Sequence, residues 1–494
     1  MKIERSSGIL LHPSSLPGKY GIGALGKNAM DFVDFLEKAG QKLWQVLPMG
    51  HTGYGDSPYQ CFSIYAGNPI LIDLELLVKD GYLKKGDLTD VPDFPDDRVN
   101  YGEVINFKRR MLKIAHQRFY ENKINQDAEY HAFITGHNSW LKDYSTFVAL
   151  KELFNGKAWW EWPDEFRLRK TDAIETFAKH SHLEVGFHQF VQYLFYKQWL
   201  DVKKYANKKK IRVIGDIPLY VAHDSADVWS NHELFKFDKN RNPIAVAGVP
   251  PDYFSQTGQL WGNPLYNWDL MKKNGFSWWI GRVKSSFELY DYVRIDHFRG
   301  FEAYWSVPFG EKTAINGEWV KAPGEELFDT IQKELGRLPI IAEDLGVITP
   351  EVDALRMKFE FPGMKILQFA FHSDDGQKYL PHNYTDNFIV YTGTHDNDTL
   401  AGWFKSLEKP VRKKVLTYAD ADSKTIFRKM IRLAWSSVAS IAVIPLQDLL
   451  ELGSGSRMNT PGTPGGNWHW RFRKDQLTRE QATWLAEVTK IYNR

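Results

Sequence analysis

The sequence repeats short apolar runs that end in polar or charged residues, and these runs recur along its whole length. Runs that are apolar at nearly every position are typical of strands buried on both faces, as in a parallel sheet. Segments with apolar residues at helical spacing lie between several of the runs, for example at residues 28–39 and 187–207. The eight predicted strands are residues 8–12, 42–48, 211–218, 292–298, 339–345, 365–371, 388–396 and 440–448.

Strands that alternate with helices in this way predict an α/β fold, a (β/α)8 TIM barrel with large insertions. The interval between the second and third strands is too long for one helix and its loops. We therefore expect a mainly helical insertion at residues 70–175, where residues 107–120 and 140–154 have helical periodicity. A second insertion, residues 222–290, is rich in aromatic residues, glycine and proline. Residues 1–494 are thus expected to form a single catalytic barrel with two insertions.

The composition narrows the class of function. Lys plus Arg number 63 against 61 Asp plus Glu, which argues against a protein that binds nucleic acid or a membrane surface through excess positive charge. The single cysteine, Cys61, excludes an intramolecular disulfide framework and a metal site built from several cysteines. The sequence has no run near the roughly 20 apolar residues of a membrane span, and its N-terminal apolar run is short for a signal peptide. We expect a cytoplasmic location.

The aromatic content is high, since 18 Trp, 23 Tyr and 31 Phe make up 15% of the chain. Two interpretations remain open at this point. The rings can fill a large hydrophobic core, which a hydrophobic content of 43% would also supply. They can also line a carbohydrate-binding cleft, in which flat aromatic rings stack on the apolar faces of sugars.

Most of the predicted strands end in a residue that can carry chemistry. In barrels of this kind the active site is built at the C-terminal ends of the strands, so these side chains are expected to converge. Taken singly, each is also compatible with an ordinary polar strand end. The residues are His12, Asp216, Asp296 with His297, Glu343 with Asp344, His395 with Asp396, and Asp448.

Two of these strand ends fit the cleavage of glycosides with retention of configuration. That reaction needs one carboxylate to attack the anomeric carbon and a carboxylic acid to protonate the leaving oxygen, from roughly 5–5.5 Å apart. Adjacent strands could supply Asp296 and Glu343 for this pair. Arg294 faces the same side of its strand as Asp296 and would hold that carboxylate ionised. Neighbouring negative charges, including Asp344, would raise the pKa of Glu343, as a general acid requires.

Longer motifs make the sequence similar to the 4-α-glucanotransferases of the amylomaltase or disproportionating-enzyme family, relatives of the α-amylase superfamily. The matching segments are spread over almost the whole chain. Several are long and rarely occur by chance in unrelated proteins, so the match is specific. They are LLHPSSLPGKYGIG (10–23), GYGDSPYQ (53–60), AGNPILIDL (66–74), GDIPLYVAHDSADVW (215–229), GVPPDYFSQTGQLWGNPLYNW (248–268), RIDHFRGF (294–301), IIAEDLG (340–346), GTHDND (393–398) and NTPGT (459–463).

The resemblance implies roles for individual residues. Asp296 is the expected nucleophile and Glu343 the general acid/base, while Asp396 binds sugar hydroxyls and stabilises the distorted ring. Tyr59 is expected to stack on a bound glucan, and residues 250–263 to form a mobile lid over the cleft. The other residues expected at the site are Asp216, Arg294, His297, Asp344 and His395, with Asp252, Tyr253, Phe254 and Trp261 on the lid.

One departure from the wider superfamily concerns calcium. The α-amylases have a D-x-x-x-N-H motif at the third strand, whose Asn helps to bind a calcium ion. Tyr220 and Val221 stand at the corresponding positions here. We therefore expect no metal, and the resemblance implies no cofactor.

The resulting expectation is a retaining 4-α-glucanotransferase that acts through a covalent glucosyl-enzyme intermediate. Its expected partners are maltooligosaccharides, amylose, and glucans derived from starch or glycogen, with no nucleic acid and no membrane. Two alternatives are an α-glucan hydrolase and a catalytically dead glycan-binding protein. Products longer than the substrate would exclude the hydrolase, and the presence of all three carboxylates argues against the dead protein.

Overall fold

The structure is a computed structural model that describes residues 4–122, 127–251, 255–371, 374–463 and 465–494. The described residues form twelve strands and eighteen α-helices. The strands are β1 (Ser6–Leu10), β2 (Leu43–Gln45), β3 (Arg212–Ile217), β4 (Ala245–Val249), β5 (Gln259–Pro264), β6 (Tyr292–Ile295), β7 (Ala303–Pro308), β8 (Glu318–Lys321), β9 (Ile340–Ala342), β10 (Gly363–Ile366), β11 (Phe388–Tyr391) and β12 (Ile441–Pro445).

Several of the helices pack against the strands. Among the described residues, no helix is both long and apolar enough to cross a membrane. The helices are α1 (Lys27–Lys38), α2 (Leu74–Lys79), α3 (Tyr101–Glu121), α4 (Ala128–Gly136), α5 (Asn138–Leu153), α6 (Asp164–Arg167), α7 (Thr171–His180), α8 (His182–Lys208), α9 (Ala226–Ser230), α10 (Trp268–Lys273), α11 (Ser277–Leu289), α12 (Gly324–Leu335), α13 (Pro350–Lys358), α14 (Leu400–Ser406), α15 (Lys409–Ala419), α16 (Ile426–Ser436), α17 (Leu446–Leu449) and α18 (Arg479–Ile491).

Eight strands form a parallel sheet in the order β10, β11, β12, β1, β2, β3, β6 and β9. The two outer strands are joined by a hydrogen bond of 2.9 Å from the Ala342 N–H to the Pro362 carbonyl, which closes the barrel. Every predicted strand overlaps one of these eight. The prediction of a (β/α)8 barrel is confirmed, because near-continuous apolar runs mark strands that have helices on one face and the barrel interior on the other.

The sixth predicted strand, residues 365–371, is shifted towards the C-terminus relative to the observed strand. The strand is β10, and most of the apolar run assigned to it, Leu367–Phe371, is a 3-10 helix. Four of the five residues in that short helix are buried. The run is therefore mostly apolar because it is buried, as a barrel strand would be. Burial by itself does not distinguish the two backbone conformations.

The residues between β2 and β3 are helical, as their periodicity predicted. Helix α3 contains all of the predicted segment 107–120 and is longer at both ends. Helix α5 begins two residues before the predicted segment 140–154 and ends one residue before its end. Helix α8 returns the chain to β3 and buries residues around more than half of its circumference. We propose residues 70–175 as a helical insertion, which helices α3 and α5 support, and residues 222–290 as a second insertion.

A second sheet, which the sequence did not predict, lies beside the barrel. It is antiparallel, with the order β5, β4, β7 and β8. Its first two strands precede barrel strand β6 and its last two follow that strand, so two separate segments build one sheet. Strand β5 also occupies the last part of the expected lid, residues 250–263.

Candidate active site

Two carboxylates lie at the ends of adjacent barrel strands, where backbone hydrogen bonds fix them. The Asp296 N–H follows β6 and donates to the Ile217 carbonyl at 2.9 Å. The Glu343 N–H follows β9 and donates to the Ile295 carbonyl at 3.0 Å, while the Glu343 carbonyl accepts from the Phe298 N–H at 3.1 Å. The sheet ladder therefore continues up to both residues, and their side chains emerge at the same end of the barrel.

A buried arginine connects two carboxylates at this end. The Arg294 guanidinium donates from Nη1 to both oxygens of Asp216, at 2.8 and 2.7 Å, and from Nη2 to Asp296 Oδ1 at 3.0 Å. The hydroxyl of Tyr59 donates to Asp216 Oδ2 at 2.7 Å. Arg294 and Asp216 are buried, whereas the Asp296 side chain is 31% exposed. A fixed cation thus lies behind the one carboxylate of this pair that a substrate can reach.

The Glu343 carboxylate is held by two backbone N–H groups. Its Oε2 accepts from the His297 N–H at 2.7 Å and its Oε1 from the Leu345 N–H at 2.8 Å. The φ of His297 is +53°, in the left-handed region, at the turn that follows β6. Burial raises the pKa of Glu343 to about 8, and the Asp296 carboxylate adds to this rise. Glu343 is therefore protonated at neutral pH, as a general acid must be.

The cause of this raised pKa corrects the reasoning from sequence. Asp344, the neighbour expected to raise it, is turned away from Glu343. Its Oδ1 accepts from the Met364 N–H at 2.6 Å, and its Oδ2 lies 3.3 Å from Arg356 Nε. The alternation of side chains along an extended segment places consecutive residues on opposite sides. This geometry favours a role for Asp344 in closing the barrel over direct contact with a sugar.

Asp396 is the third carboxylate and the most exposed, at 45%. The Asn459 side chain donates to its Oδ1 at 2.6 Å, and Arg457 Nη2 donates to its backbone carbonyl at 2.5 Å. Its Oδ2 lies 3.4 Å from His395 Nε2. Sequence reasoning assigned no role to Asn459 or Arg457, although the motif NTPGT that begins at Asn459 was a sign that this segment matters.

Aromatic rings form one wall beside these carboxylates. The Tyr59 ring stacks on the His395 ring with centroids 5.3 Å apart, and both lie about 5.9 Å from the Trp468 ring. Tyr59 was expected to stack on a bound glucan. In this structure its ring packs on His395 and its hydroxyl binds Asp216, so it positions two residues of the site.

A tryptophan of the antiparallel sheet lies beside His297 at this site. The Trp261 ring meets the His297 ring edge-on at 4.8 Å and lies 6.2 Å from the Tyr220 ring. Burial lowers the pKa of His297 to about 4, so that its ring is neutral at neutral pH. The remaining lid residues of the sequence prediction, Asp252, Tyr253 and Phe254, lie outside the described residues.

The two remaining predicted strand ends differ from each other. Asp448 is buried, and its oxygens accept from the Leu400 N–H at 2.7 Å and the Thr392 hydroxyl at 2.5 Å. His12 is also buried, and burial lowers its pKa to about 3. Its side chain lines a cavity together with His395 and Arg457, so it lies beside the site.

The described part of the chain holds no group of three or more His, Cys, Asp or Glu side chains placed to bind a metal ion. Tyr220 and Val221, at the positions of the α-amylase calcium motif, are both buried. The Tyr220 ring stacks on the Tyr266 ring with centroids 6.2 Å apart. Aromatic packing thus occupies the place where that motif has a metal-binding side chain.

The chain is similar to proteins of known activity over nearly its whole length. A family model described as 4-alpha-glucanotransferase matches residues 11–478. A 4-alpha-glucanotransferase from Synechocystis sp. is 51% identical, over 99% of this chain and 98% of that protein. One from Thermus thermophilus is 49% identical, with 100% of both chains covered. The solved structure of an amylomaltase from Streptococcus agalactiae in complex with acarbose is 43% identical, with a TM-score of 0.96, over 99% of this chain and 100% of that chain.

Proposed function

The chain belongs to the 4-α-glucanotransferase family, and from this premise we propose that it transfers segments of α-1,4-glucan to the 4-hydroxyl of glucose or of another glucan. The observation that carries the proposal is the pairing of Asp296, backed by the Arg294 cation, with a protonated Glu343 on the next strand. Its substrates are maltooligosaccharides, amylose, and glucans derived from starch or glycogen.

The first step breaks a glycosidic bond. The Asp296 carboxylate attacks the anomeric carbon of the donor, and the bond from that carbon to the leaving oxygen breaks. Glu343 gives its proton to the leaving oxygen, and the shortened glucan departs with a free 4-hydroxyl. A covalent glucosyl-enzyme remains on Asp296, and Glu343 is now a carboxylate stabilised by the His297 and Leu345 N–H groups.

The second step reverses the first with a new acceptor. The Glu343 carboxylate takes the proton from the 4-hydroxyl of the acceptor, whose oxygen attacks the anomeric carbon and releases Asp296. Two inversions retain the α-configuration. Asp396, oriented by Asn459, binds hydroxyls of the distorted ring. We also propose residues 250–263, with Trp261 at their end, as the lid that excludes water and favours transfer over hydrolysis.

Replacement of the two catalytic carboxylates tests this assignment. Asp296→Asn and Glu343→Gln each remove a reacting group while keeping the shape of the side chain. We expect each to lower the rate of transfer by at least about a thousandfold, with the midpoint of thermal unfolding close to that of the wild type. If either variant kept activity within about tenfold of the wild type, the assignment would be wrong.

The products from maltotriose distinguish transfer from hydrolysis. Transfer converts maltotriose into glucose and a ladder of longer maltooligosaccharides, which chromatography over time resolves. Glucose and maltose without longer products would identify a hydrolase, and binding of maltotriose without any product would identify a catalytically dead protein. The cytoplasmic location expected from the single cysteine remains a prediction.

A further inference from the structure

Three tryptophans in one short segment of the helical region have different environments. Trp159 and Trp162 are buried, at 0% and 3% exposure, whereas Trp160 between them is 40% exposed. The Trp159 Nε1–H donates to the His223 carbonyl at 2.8 Å, and the Trp162 Nε1–H donates to the Lys157 carbonyl at 3.0 Å. Two rings therefore anchor the 3-10 helix Trp159–Glu161, and the third is presented at its surface.

The Trp160 ring is held in a fixed plane. It stacks on the His223 ring with centroids 4.1 Å apart and an angle of 16° between the planes. Burial lowers the pKa of His223 to about 4, so the contact is between two neutral rings at neutral pH. His223 Nε2 has no hydrogen-bond partner among the described residues. Because His223 covers one face of the indole, the exposed surface of Trp160 includes the other face.

Trp160 and His223 line a cavity of about 170 Å³. The cavity adjoins the catalytic site at two points. Gln60 lines it, while its chain neighbour Tyr59 binds Asp216 in the site. Trp261 also lines it, and the same ring packs against His297. The wall of the cavity is thus continuous with the wall of the catalytic cleft.

The composition of the cavity suits a sugar. Aromatic rings of Trp160, Phe62 and Trp261 offer apolar faces, and polar groups lie between them. One is the Asp224 carboxylate, whose Oδ2 is bound by Lys151 Nζ at 2.6 Å. Another is the Gln60 side chain, at a segment fixed by the hydrogen bond from the Gly53 N–H to the Gln60 carbonyl at 2.7 Å. Flat rings with hydrogen-bonding groups at their edges match the two apolar faces and equatorial hydroxyls of glucose.

We propose that the Trp160 face and this cavity form an additional subsite for one glucosyl unit of an α-1,4-glucan, outside the central subsite. The proposal rests on the proposed function, because it is the same glucan that extends from the catalytic carboxylates past Trp261. A unit stacked on Trp160 adds binding energy only for chains long enough to reach it. The subsite therefore makes the enzyme prefer longer glucans to shorter ones.

The test measures dissociation constants for maltotriose and maltoheptaose by titration calorimetry in the Asp296→Asn protein. With Trp160→Ala added, we expect the dissociation constant for maltoheptaose to rise about fivefold to tenfold. The ratio of the maltotriose constant to the maltoheptaose constant falls by a similar factor. Trp160→Phe keeps a smaller ring on His223 and is expected to recover part of the ratio. A ratio within twofold of the parent in both variants would overturn the proposal.

A matched control is available on the antiparallel sheet. Trp319 is as exposed as Trp160, at 39%, and its ring is covered by the Arg299 guanidinium at 3.7 Å. Trp319→Ala is expected to leave the ratio of the two constants unchanged. If it lowered the ratio as Trp160→Ala does, loss of any exposed tryptophan would explain the result and the proposal would be wrong.

The two proposals fail in different measurements. If wild-type protein formed no ladder from maltotriose, the proposed function would be wrong, whatever the ratio of dissociation constants. If the ladder formed and Trp160→Ala left the ratio unchanged, only the additional subsite would be wrong.

Discussion

Arg294 determines how charge is distributed among the proposed catalytic residues. Its guanidinium is buried and binds Asp216 through one nitrogen and Asp296 through the other. The planar fork of an arginine can hold two carboxylates in fixed directions, which a lysine ammonium cannot. Asp216 is therefore a positioning residue for Arg294, and Tyr59 in turn donates to Asp216.

The pKa of Glu343 predicts the alkaline limit of activity. In its proposed role as general acid, Glu343 must be protonated to give its proton to the leaving oxygen, and burial raises its pKa to about 8. The protonated form is present below this value and is lost above it. We expect kcat/KM for maltotriose to be constant from neutral pH towards 8, and then to fall about tenfold per pH unit. If kcat/KM for maltotriose already fell with rising pH below pH 6, this prediction would be wrong.

A donor that needs no acid provides the control. The fluoride of an α-maltosyl fluoride leaves without full proton transfer, so its glucosylation step depends little on the acid form of Glu343. The alkaline fall in kcat/KM for this donor is expected to be much smaller than that for maltotriose. Equal falls for the two donors would assign the limit to a different group.

Asn459 predicts a second effect at the level of one residue. Its side chain donates to Asp396 Oδ1 at 2.6 Å, which orients the carboxylate proposed to bind the distorted ring. Because a distorted ring is a feature of the transition state, Asn459→Ala is expected to lower kcat by about tenfold to a hundredfold, with a smaller change in KM. Steady-state kinetics with maltotriose measures both constants.

A comparison variant separates orientation from simple loss of contact. Asn459→Asp places a second carboxylate beside Asp396, and repulsion should lower kcat further than Asn459→Ala does. Thermal unfolding shows whether either variant has lost stability. If Asn459→Ala left kcat unchanged, Asn459 would have no role in positioning Asp396.

At the scale of elements, the barrel closes through one side chain as well as through the backbone. Asp344 follows β9 and accepts from the Met364 N–H of β10, while Arg356 of α13 lies against its other oxygen. Gly363 begins β10 directly beside this carboxylate. A methyl group on Gly363 would fall well inside van der Waals contact with Asp344.

Gly363→Ala therefore tests the closure of the barrel. The new methyl group must displace the Asp344 carboxylate from the Met364 N–H or push the two strands apart. We expect a loss of about 1–3 kcal/mol in the free energy of unfolding, measured by denaturant titration. An unchanged or higher stability would show that the junction of β9 and β10 can relax at no cost.

Gly102 offers a matched glycine for comparison. It lies at the start of α3, and a methyl group there would meet no described heavy atom within 4 Å. Because alanine is the better helix former, Gly102→Ala is expected to be neutral or to stabilise by up to about 1 kcal/mol. Destabilisation by Gly102→Ala equal to that of Gly363→Ala would contradict a specific effect at the junction.

At the scale of the whole molecule, Arg494 joins segments from both ends of the sequence. Its buried guanidinium donates to the Ser6 and Ser440 carbonyls at 3.1 and 3.2 Å, which belong to the starts of neighbouring strands β1 and β12. It also donates to the Trp435 carbonyl of α16 at 2.7 Å, and to the carbonyls of Ala434, Ser437 and Ala439 at 3.0–3.3 Å.

Arg494→Ala is expected to lower the free energy of unfolding by about 2–4 kcal/mol. The change removes a buried guanidinium and its hydrogen bonds to several carbonyl oxygens, and each lost hydrogen bond lowers stability. Trp435, Ala439 and Ser440 keep one donor each, from Arg5 or from the Ser6 N–H. Arg494→Lys should recover only part, because an ammonium cannot reach carbonyls in several directions at once. Denaturant titration of both variants measures the two values.

An exposed arginine gives the control for this prediction. Arg337 pairs with Glu360 at 2.9 Å, and both side chains are about 60% exposed. Exposed ion pairs contribute little to stability, so Arg337→Ala is expected to change it by less than about 1 kcal/mol. Equal effects of Arg337→Ala and Arg494→Ala would contradict the role of Arg494 as a buried connection.

The sequence by itself determined the barrel and a set of candidate reacting groups. The apolar runs identified eight strands, and the resemblance to the family selected Asp296, Glu343 and Asp396 from the polar residues at their ends. This was possible because side-chain alternation and strand direction are local properties of the chain. In a parallel barrel, all strand ends meet at one end, so the local pattern predicts the end at which these residues lie. It does not predict the direction of each side chain, because Asp344 and Asp448 bind other partners.

Only the tertiary structure decided which distant residues support those groups. Asn459 meets Asp396 from a segment that follows the last strand, and Asp344 turns away from Glu343 to close the barrel. The antiparallel sheet that carries Trp261 is built from segments on either side of β6. Such contacts depend on how separate elements pack against each other. Hydrophobic periodicity within one segment does not show which other segment it will contact. The positions of Trp160 and His223 beside the cleft were decided in the same way.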